Sequence, residues 1–258
     1  MSIETHVDGR LLRLKLNRPE KRNALNLETC RAIVDALRQA DADQAIGATL
    51  ITGAGESFCS GMDLAEARHV DRKHLADAQE PLFTVGENMR KPLVAAVQGP
   101  AIAGGTGLVA NAHIAIASEA ATFGLTEIRF ALWPVLIFPA VAAAMGERRA
   151  LELSLSGRIF NAQEALHYGL VSEVVAGDQL EARASEVAHA LANASSVTIS
   201  AGLEYVRSIR GKDPKEALHA GRLVRDQIMQ TEDFAEGLRA FSEKRQPVWP
   251  SHKTHRLP

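Results

Sequence analysis

The chain is predicted to be an α/β protein, because short apolar strands alternate with helical stretches along most of its length. Leu12, Leu14 and Leu16 mark the first strand, since they alternate with polar residues at the period of a half-buried strand. The first helix follows the capping residue Asn26, and apolar residues recur at helical spacing over 27–37. These two periods favour a sheet that is covered by helices.

The middle of the chain repeats this alternation. Three more buried strands are predicted from apolar runs at residues 48–52, 93–97 and 113–118. Asn161 with Glu164 has the pattern of a reciprocal capping box, and the helix that it starts is expected to stop near Gly169. Residues 170–175 then return to an extended pattern, so the alternation continues to about residue 175.

The pattern changes to helices after about residue 195. Asp213 followed by Pro214 is typical of a helix start, and apolar residues at helical spacing continue to Phe241. We therefore predict an α/β core at 1–195 and a helical region at 196–258. The closing segment WPSHKTHRLP is expected to be frayed or packed on a neighbour.

Composition and charge exclude several classes of protein. Of the 258 residues, 46% are hydrophobic and 23% are charged, which is ordinary for a globular protein. The net charge is −2 without runs of like charge, so nucleic acid and anionic membranes are not expected partners. The longest apolar stretch, 131–146, contains two prolines and is too short to span a bilayer. Because the N-terminus shows no export signal, a cytoplasmic protein is expected.

Short motifs narrow the chemistry further. Cys30 and Cys59 form no CxxC pair and the nine histidines are scattered, so neither a disulfide scaffold nor a metal site is expected. Residues 105–110 match the GxGxxA dinucleotide motif, with an acidic residue twenty positions past its second glycine. Only about seven residues separate Gly105 from the next predicted strand, which is too few for a helical crossover. A nicotinamide cofactor is therefore not expected.

Two glycine-bearing loops, each placed directly after a strand, are the candidate sites: SFCSGMDL at 57–64 and GPAIAGGTG at 99–107. Glycine lets backbone N–H groups approach a ligand closely. Two such donors that converge on one carbonyl oxygen would form an oxyanion hole. Tight turns without a ligand would explain the same loops, so the residues alone leave both interpretations open.

The two loops, with their order and spacing, resemble those of the crotonase family, also called the enoyl-CoA hydratase/isomerase superfamily. The matching segments cover nearly the whole chain: NRPEKRNALN (17–26), ITGAGESFCSGMDL (51–64), KPLVAAVQGPAIAGG (91–105), ATFGLTEI (121–128), GERRALELSLSGRIFNAQEALHYGLVSEVV (146–175) and FSEKRQPVW (241–249). This resemblance implies a spiral of ββα units and an acyl-coenzyme A substrate without a separate cofactor. It also implies C-terminal helices that cover the pocket and form homotrimers or hexamers.

The resemblance implies the site residues as well. The backbone N–H groups of Met62 and Gly104 would form the oxyanion hole for a thioester enolate. The GMDL turn and the region around Ala24 would lie along coenzyme A. The full set implied to bind the substrate or coenzyme A is Ala24, Ser60, Met62, Asp63, Leu64, Gly104, Gly105 and Trp133.

The acid–base positions depart from the family pattern. Hydratases of this family carry two glutamates, but the first position here is Gly107 and only the second, Glu127, is kept. The apolar sequence neighbours of Glu127 are expected to raise its pKa and to suit it to proton transfer near neutral pH. A structural ion pair of Glu127 with Arg129 or Arg158 is the alternative.

A single glutamate leaves isomerisation and hydration about equally open. Isomerisation of a 3-enoyl to a 2-enoyl thioester needs only one carboxylate, which takes a proton from C2 and returns it at C4. Hydration would draw on another group, and Glu66, His69, Asp71 and His74 are candidates, although a solvated helix face explains them too. Restoring the carboxylate with Gly107→Glu is expected to raise hydration.

Other reactions also fit an oxyanion hole. Thioester hydrolysis and carbon–carbon bond cleavage would use the same two donors, and a non-catalytic acyl-CoA binder would keep the fold alone. The bulky residues Trp133, Leu136, Ile137 and Phe138 predict a wall near Glu127 and a pocket for a hydrophobic or branched acyl group. Routine core packing accounts for the same four residues.

Overall fold

The computed structural model describes residues 1–252, in which strands and helices alternate as predicted. The strands are β1 (Ile3–Asp8), β2 (Leu11–Leu16), β3 (Ala48–Gly53), β4 (Leu93–Val97), β5 (Ala101–Ile102), β6 (Ile114–Ser118), β7 (Thr122–Gly124), β8 (Ile159–Asn161) and β9 (Glu173–Val175). The α-helices are α1 (Leu27–Ala42), α2 (Leu64–Ala67), α3 (Arg72–Leu82), α4 (Val85–Asn88), α5 (Gly104–Asn111), α6 (Phe138–Met145), α7 (Glu147–Ser156), α8 (Ala162–Tyr168), α9 (Leu180–Ala192), α10 (Ser196–Ser208), α11 (Pro214–Ile228) and α12 (Glu232–Ser242). The closing segment was predicted to be frayed or packed on a neighbour, but its first part, 249–252, packs on this chain, with Trp249 Nε1 donating to the carbonyl of Asn193. Residues 253–258 lie outside the described residues, and for them the prediction stays untested.

The strands form two sheets. The larger sheet has the order β1-β2-β3-β4-β6-β9, in which the β1–β2 pair is antiparallel and the other pairs are parallel. The smaller sheet has the order β5-β7-β8. β4 and β5 are followed by α5, and β6 and β7 by α6, so in each of these two turns the chain adds a strand to both sheets and then a helix. This arrangement is the spiral of ββα units that the resemblance implies.

Both faces of the larger sheet are buried. On one face α9 presents Ala184, Ala188 and Ala192, which recur at every fourth residue and so lie on one side of the helix against the strands. The opposite face contributes residues such as Leu14 and Ile51 to the main core cluster, which also contains residues of α1 and α3. β4 is buried at all five positions, as expected for a central parallel strand.

Helix ends follow the signals that the sequence carries. The Asn26 side chain accepts a backbone hydrogen bond in the first turn of α1. Asn161 and Glu164 form the reciprocal capping box of α8, and Gly169 ends that helix in the left-handed conformation. Asp213 caps α11 through two backbone N–H groups. The capping predictions are therefore confirmed.

Several strands differ from what the sequence predicts. β1 was not expected, because it is an edge strand whose four middle residues are exposed and show no apolar period. β5, β7 and β8 have two or three residues each, which is too short for a period to appear. β9 begins at Glu173, since the N–H groups of Leu170 and Val171 bond back to Ala165 and close the turn after α8.

The C-terminal helices pack less tightly than the core. No residue of α10 or α11 is buried in the single chain. α12 is held by Asp233, whose carboxylate accepts hydrogen bonds from the hydroxyls of Ser195 and Ser251 at 2.6 Å each. Across residues 1–252, no helix combines the length and the apolar character that crossing a membrane requires.

Candidate active site

The two glycine-bearing loops approach each other closely. Leu25 and Met62 pair as an isolated parallel bridge, which fixes the first loop. Gly61 has a φ of 85°, and a Cβ added there would lie only 3.1 Å from the backbone nitrogen of Gly104. Gly61 therefore allows the first loop to come against the start of α5.

Met62 and Gly104 keep their N–H groups free for a ligand. Within residues 1–252 neither N–H donates to a protein acceptor. Gly104 is the first residue of α5, where helix geometry leaves N–H groups without an intrahelical partner. The preceding Ala103 has a φ of 52° and a ψ of −117°, a strained conformation of the kind that clusters at functional sites.

A cavity of about 280 Å³ is lined by both Met62 and Gly104. The apolar residues in its walls are Leu25, Leu64, Leu75, Phe83, Phe130, Leu132, Trp133, Pro134, Val135, Leu136 and Ile137. Three members of the predicted bulky wall are thus present, whereas Phe138 packs behind it with its ring 6.4 Å from that of Trp133. The cavity is mainly apolar, and a few polar side chains project into its lining.

Glu127 is the one carboxylate among the described residues that line the cavity. Its Oε2 atom is buried and has no hydrogen-bond partner within residues 1–252. Burial raises the pKa of Glu127 above its ordinary value. The alternative of an ion pair is wrong, because Arg129 donates to the carbonyl of Gly157 and Arg158 pairs with two other glutamates.

The other residues implied to bind substrate divide into two groups. Those that line the cavity are Ser60, Leu64 and Trp133. Those that do not line it are Ala24, Asp63 and Gly105. The Arg18 guanidinium donates to the carbonyl of Ala24 and pairs with Asp63 at 3.0 Å, so these two residues shape the loop. Gly105 has no room for a side chain, because a Cβ there would lie 2.1 Å from the carbonyl oxygen of Cys59.

The candidates for a replacement acid or base lie outside the cavity. Glu66 accepts the backbone N–H of Leu27 at the start of α1, at 2.8 Å. Asp71 caps α3, and His69 and His74 are exposed. None of the four lines the cavity, so the structure supports the interpretation of a largely solvated, structural segment.

The space beside Gly107, where a side chain would project, is already occupied by Ile137. A Cβ there would lie 2.3 Å from Cγ2 of Ile137 and 3.2 Å from the ring of Phe83. Ile137 is only 3% exposed, so it has little freedom to move away. The expectation that Gly107→Glu alone raises hydration needs correction, because the longer side chain would meet a packed isoleucine.

Both cysteines are buried thiols. Burial raises the pKa of Cys30 and of Cys59 to about 12. This confirms the expectation of an inert thiol at position 59. Over the described range, 1–252, no three His, Cys, Asp or Glu side chains are grouped in a way that could hold a metal ion.

Sequence reasoning missed Gln79. Its side chain lines the cavity from α3 and is 8% exposed. The surrounding sequence is polar and contains Pro81, so nothing marked one glutamine as buried. A signal was nevertheless present, since Leu75, Gln79 and Phe83 recur at every fourth position and therefore share one helix face.

The two-sheet spiral and its apolar cavity define the class of this protein, a crotonase-type fold. The crystal structure of an enoyl-CoA hydratase from Bacillus anthracis matches it with a TM-score of 0.92 and 30% identity, covering 97% of this chain and 100% of that one. The match includes the C-terminal helices as well as the core.

Sequence comparison identifies the family. The profile of the family described as enoyl-CoA hydratase/isomerase matches residues 7–252. A mevalonyl-coenzyme A hydratase of Aspergillus fumigatus is 38% identical over 94% of this chain and 92% of that protein. A probable enoyl-CoA hydratase of Rhizobium meliloti is 37% identical over 95% and 97%, respectively. The chain belongs to the enoyl-CoA hydratase/isomerase family and is an enzyme of the hydratase/isomerase type that acts on an acyl-coenzyme A.

Proposed function

We propose that the enzyme hydrates a 2-enoyl-coenzyme A, with Met62 and Gly104 holding the thioester oxygen and Glu127 moving the proton. The observation that carries this proposal is the shared cavity. Two backbone donors that have no protein acceptor within residues 1–252, and a half-buried carboxylate whose Oε2 atom is buried and without a partner there, line the same apolar space. Relatives named as hydratases support the same reaction.

The two backbone donors act on the charge that develops during addition. When water attacks C3 of the enoyl group, negative charge moves to the thioester oxygen. Each preorganised donor aimed at that oxygen lowers the barrier by roughly 3–4 kcal/mol. The apolar walls strengthen this interaction, because charge is less screened in a medium of low dielectric constant.

Glu127 serves as both base and acid in this proposal. The water oxygen forms a bond to C3, the C2–C3 π electrons move towards the thioester, and a water proton passes to the carboxylate. The same carboxyl group then returns a proton to C2, so the product is the 3-hydroxyacyl thioester and Glu127 is regenerated. Its raised pKa suits both transfers near neutral pH.

Isomerisation is the second candidate, and the single carboxylate favours it. A 3-enoyl thioester bound in the same way would lose a C2 proton to Glu127 and regain a proton at C4. This reaction uses the same two donors and draws on no water molecule. Isomerisation therefore needs no catalytic group beyond the N–H groups of Met62 and Gly104 and the carboxylate of Glu127.

Chromatography with mass detection separates the two reactions. Purified enzyme is incubated in parallel with 2-hexenoyl-CoA and 3-hexenoyl-CoA. A product of the first substrate that is heavier by one water supports hydration, and a product of the second with unchanged mass that co-elutes with 2-hexenoyl-CoA supports isomerisation. If both thioesters are recovered unchanged, neither reaction is carried out on a linear acyl chain of this length.

A hydrophobic or branched acyl group is proposed as the substrate class, and of the two alternatives the branched acyl group is the one put to the test here. Trp133, Leu136 and Ile137 form a bulky wall of the cavity near Glu127. The relative named for mevalonyl-coenzyme A supports a short branched acyl group, although the mevalonyl group itself carries hydroxyls. The ratio kcat/KM for 3-methylcrotonyl-CoA against 2-decenoyl-CoA tests the proposal, and a clear preference for the long linear chain would contradict it.

We also propose that 1–195 forms the core with the acyl-CoA site and that 196–258 mediates assembly into homotrimers or hexamers. Large apolar side chains support this role, since Leu218 is 76% exposed and Phe241 86% exposed in the single chain. Light scattering after size exclusion would give the mass. A trimer or hexamer that dissociates in Phe241→Glu supports the proposal, and a monomeric unsubstituted enzyme contradicts it.

A further inference from the structure

The α3 wall of the cavity contributes one polar side chain, that of Gln79. Gln79 is a neutral amide with two donor hydrogens and an acceptor oxygen. Its side chain makes no hydrogen bond within residues 1–252, although it is 8% exposed and lines the cavity. Its amide atoms are not fully enclosed, so they face the cavity and can bond to a molecule that occupies it.

The surroundings of Gln79 make this more specific. Ala78 and Leu82 on α3 are buried, and Phe83 closes the end of the helix against α5. The Phe83 ring lies 3.1 Å from a Cβ added at Gly104 and 3.2 Å from one added at Gly107. Since Gln79 is one helical turn before Phe83 on the same face, its amide lies along the wall next to the start of α5.

The neighbouring position on α5 cannot supply a polar side chain. Gly107 is in contact with Ile137, which fills the place where a carboxylate would project. Apart from Glu127, the side chains with polar atoms that line this cavity are those of Ser60, Gln79, Thr126 and Trp133. Gln79 is the one amide among them. An amide cannot act as a base, but it can hold a water molecule by accepting one hydrogen and donating to the oxygen.

We propose that Gln79 binds and orients the water molecule that adds to C3, and then holds the 3-hydroxyl group of the product. This inference rests on the proposed hydration. Gln79 gains and loses no proton in the step. The new bond joins the water oxygen to C3, one water proton goes to Glu127 and on to C2, and the other proton stays on the hydroxyl. Gln79 thus contributes orientation, while Glu127 carries out the chemistry.

Two reactions of one enzyme separate this role from a structural one. Hydration of crotonyl-CoA needs the oriented water, whereas exchange of the α-protons of butyryl-CoA in D₂O needs the two backbone donors and Glu127 but no water addition. Gln79→Met keeps the length of the side chain and removes its hydrogen bonds. Gln79→Glu keeps the length and an acceptor. Glu80→Leu is the matched control, because it changes an exposed residue of the same helix.

In Gln79→Met, we expect kcat for hydration to fall roughly 10–100-fold, because a displaced reactant costs about that much. The rate of α-proton exchange should change by less than about twofold. Gln79→Glu should retain more hydration than Gln79→Met, and Glu80→Leu should match the unsubstituted enzyme in both reactions.

The remaining outcomes overturn the proposal. An equal loss of hydration and exchange in Gln79→Met would assign Gln79 a structural role, and an unchanged kcat for hydration would show that the water is held elsewhere. Failure of the proposed function is distinguishable, because the unsubstituted enzyme would then exchange α-protons but hydrate no 2-enoyl thioester.

Discussion

The two helices that flank the cavity, α3 and α5, contribute to it in opposite ways. α5 offers backbone only: Gly104 presents its N–H group, and Gly107 is packed against Ile137. α3 offers side chains, with Leu75 and Gln79 both lining the cavity. The absence of a glutamate on α5 therefore does not leave an entirely apolar site, since Gln79 of α3 and Glu127 both line the cavity.

Close packing of the backbone is thus found at α5, whereas the polar side chain is supplied by α3. The start of α5 must come within van der Waals contact of Gly61 and Phe83 to place its N–H group, which favours glycines there. α3 instead contributes side chains to the cavity, while its residues Ala78 and Leu82 are buried in the main core.

The largest expected effect comes from substituting Glu127, the carboxylate that lines the cavity. Glu127→Gln should lower kcat for hydration and for isomerisation by about 10²–10⁴-fold, because it removes the positioned acid–base group. Steady-state kinetics with 2-hexenoyl-CoA and 3-hexenoyl-CoA would measure this. Glu80→Gln, an exposed change on α3, is the control. Activity within tenfold of the unsubstituted enzyme would mean that the chemistry lies elsewhere.

The packing of the α5 wall can be tested through stability. Gly107→Glu should lower the free energy of unfolding by about 1–3 kcal/mol, because the new side chain meets Ile137. Combining it with Ile137→Ala should cost less than the sum of the two single changes, since residues in contact are not additive. Urea denaturation of the four proteins gives the coupling, and strict additivity would show that positions 107 and 137 are not in conflict.

The raised pKa of Glu127 should appear in the pH dependence of the free energy of unfolding. Because the pKa of Glu127 is raised in the folded state, its stabilising contribution is complete below the ordinary value of 4.5 and is lost as pH rises through the folded pKa. The free energy of unfolding of Glu127→Gln, relative to the unsubstituted protein, should therefore increase from pH 4 upwards and then level off. Denaturation at a series of pH values measures this difference, and a difference that shrinks with pH would contradict the burial of the carboxylate.

The smallest effects are expected in the segment of α2 and the following turn, which precedes α3. Glu66→Ala should lower the free energy of unfolding by about 1 kcal/mol, because it removes the acceptor for the Leu27 N–H. His69→Ala, at an exposed position nearby, should change it by less than about 0.5 kcal/mol. Both variants should keep the kcat for hydration, and a large loss of kcat in either one would place the missing acid or base in this segment.

Much of the fold could be predicted from local patterns. The strand periods of β2, β3, β4 and β6 and the caps at Asn26, Asn161 and Asp213 depend on neighbouring residues and were confirmed. The short strands of the smaller sheet could not be found in this way, because two or three residues carry no period. They become strands only by pairing with one another, β5 with β7 and β7 with β8.

The candidate site divides in the same manner. The two glycine-bearing loops, the glutamate at 127 and the glycine at 107 could be identified from the sequence alone, because motif order and residue identity are local properties. Only the tertiary structure decided that Ile137 fills the space beside Gly107, that Glu66 caps α1, and that Gln79 lies in the cavity. The physical reason is that burial and contact depend on which distant segments meet: a period along α3 can show which residues share a face, but not what that face packs against.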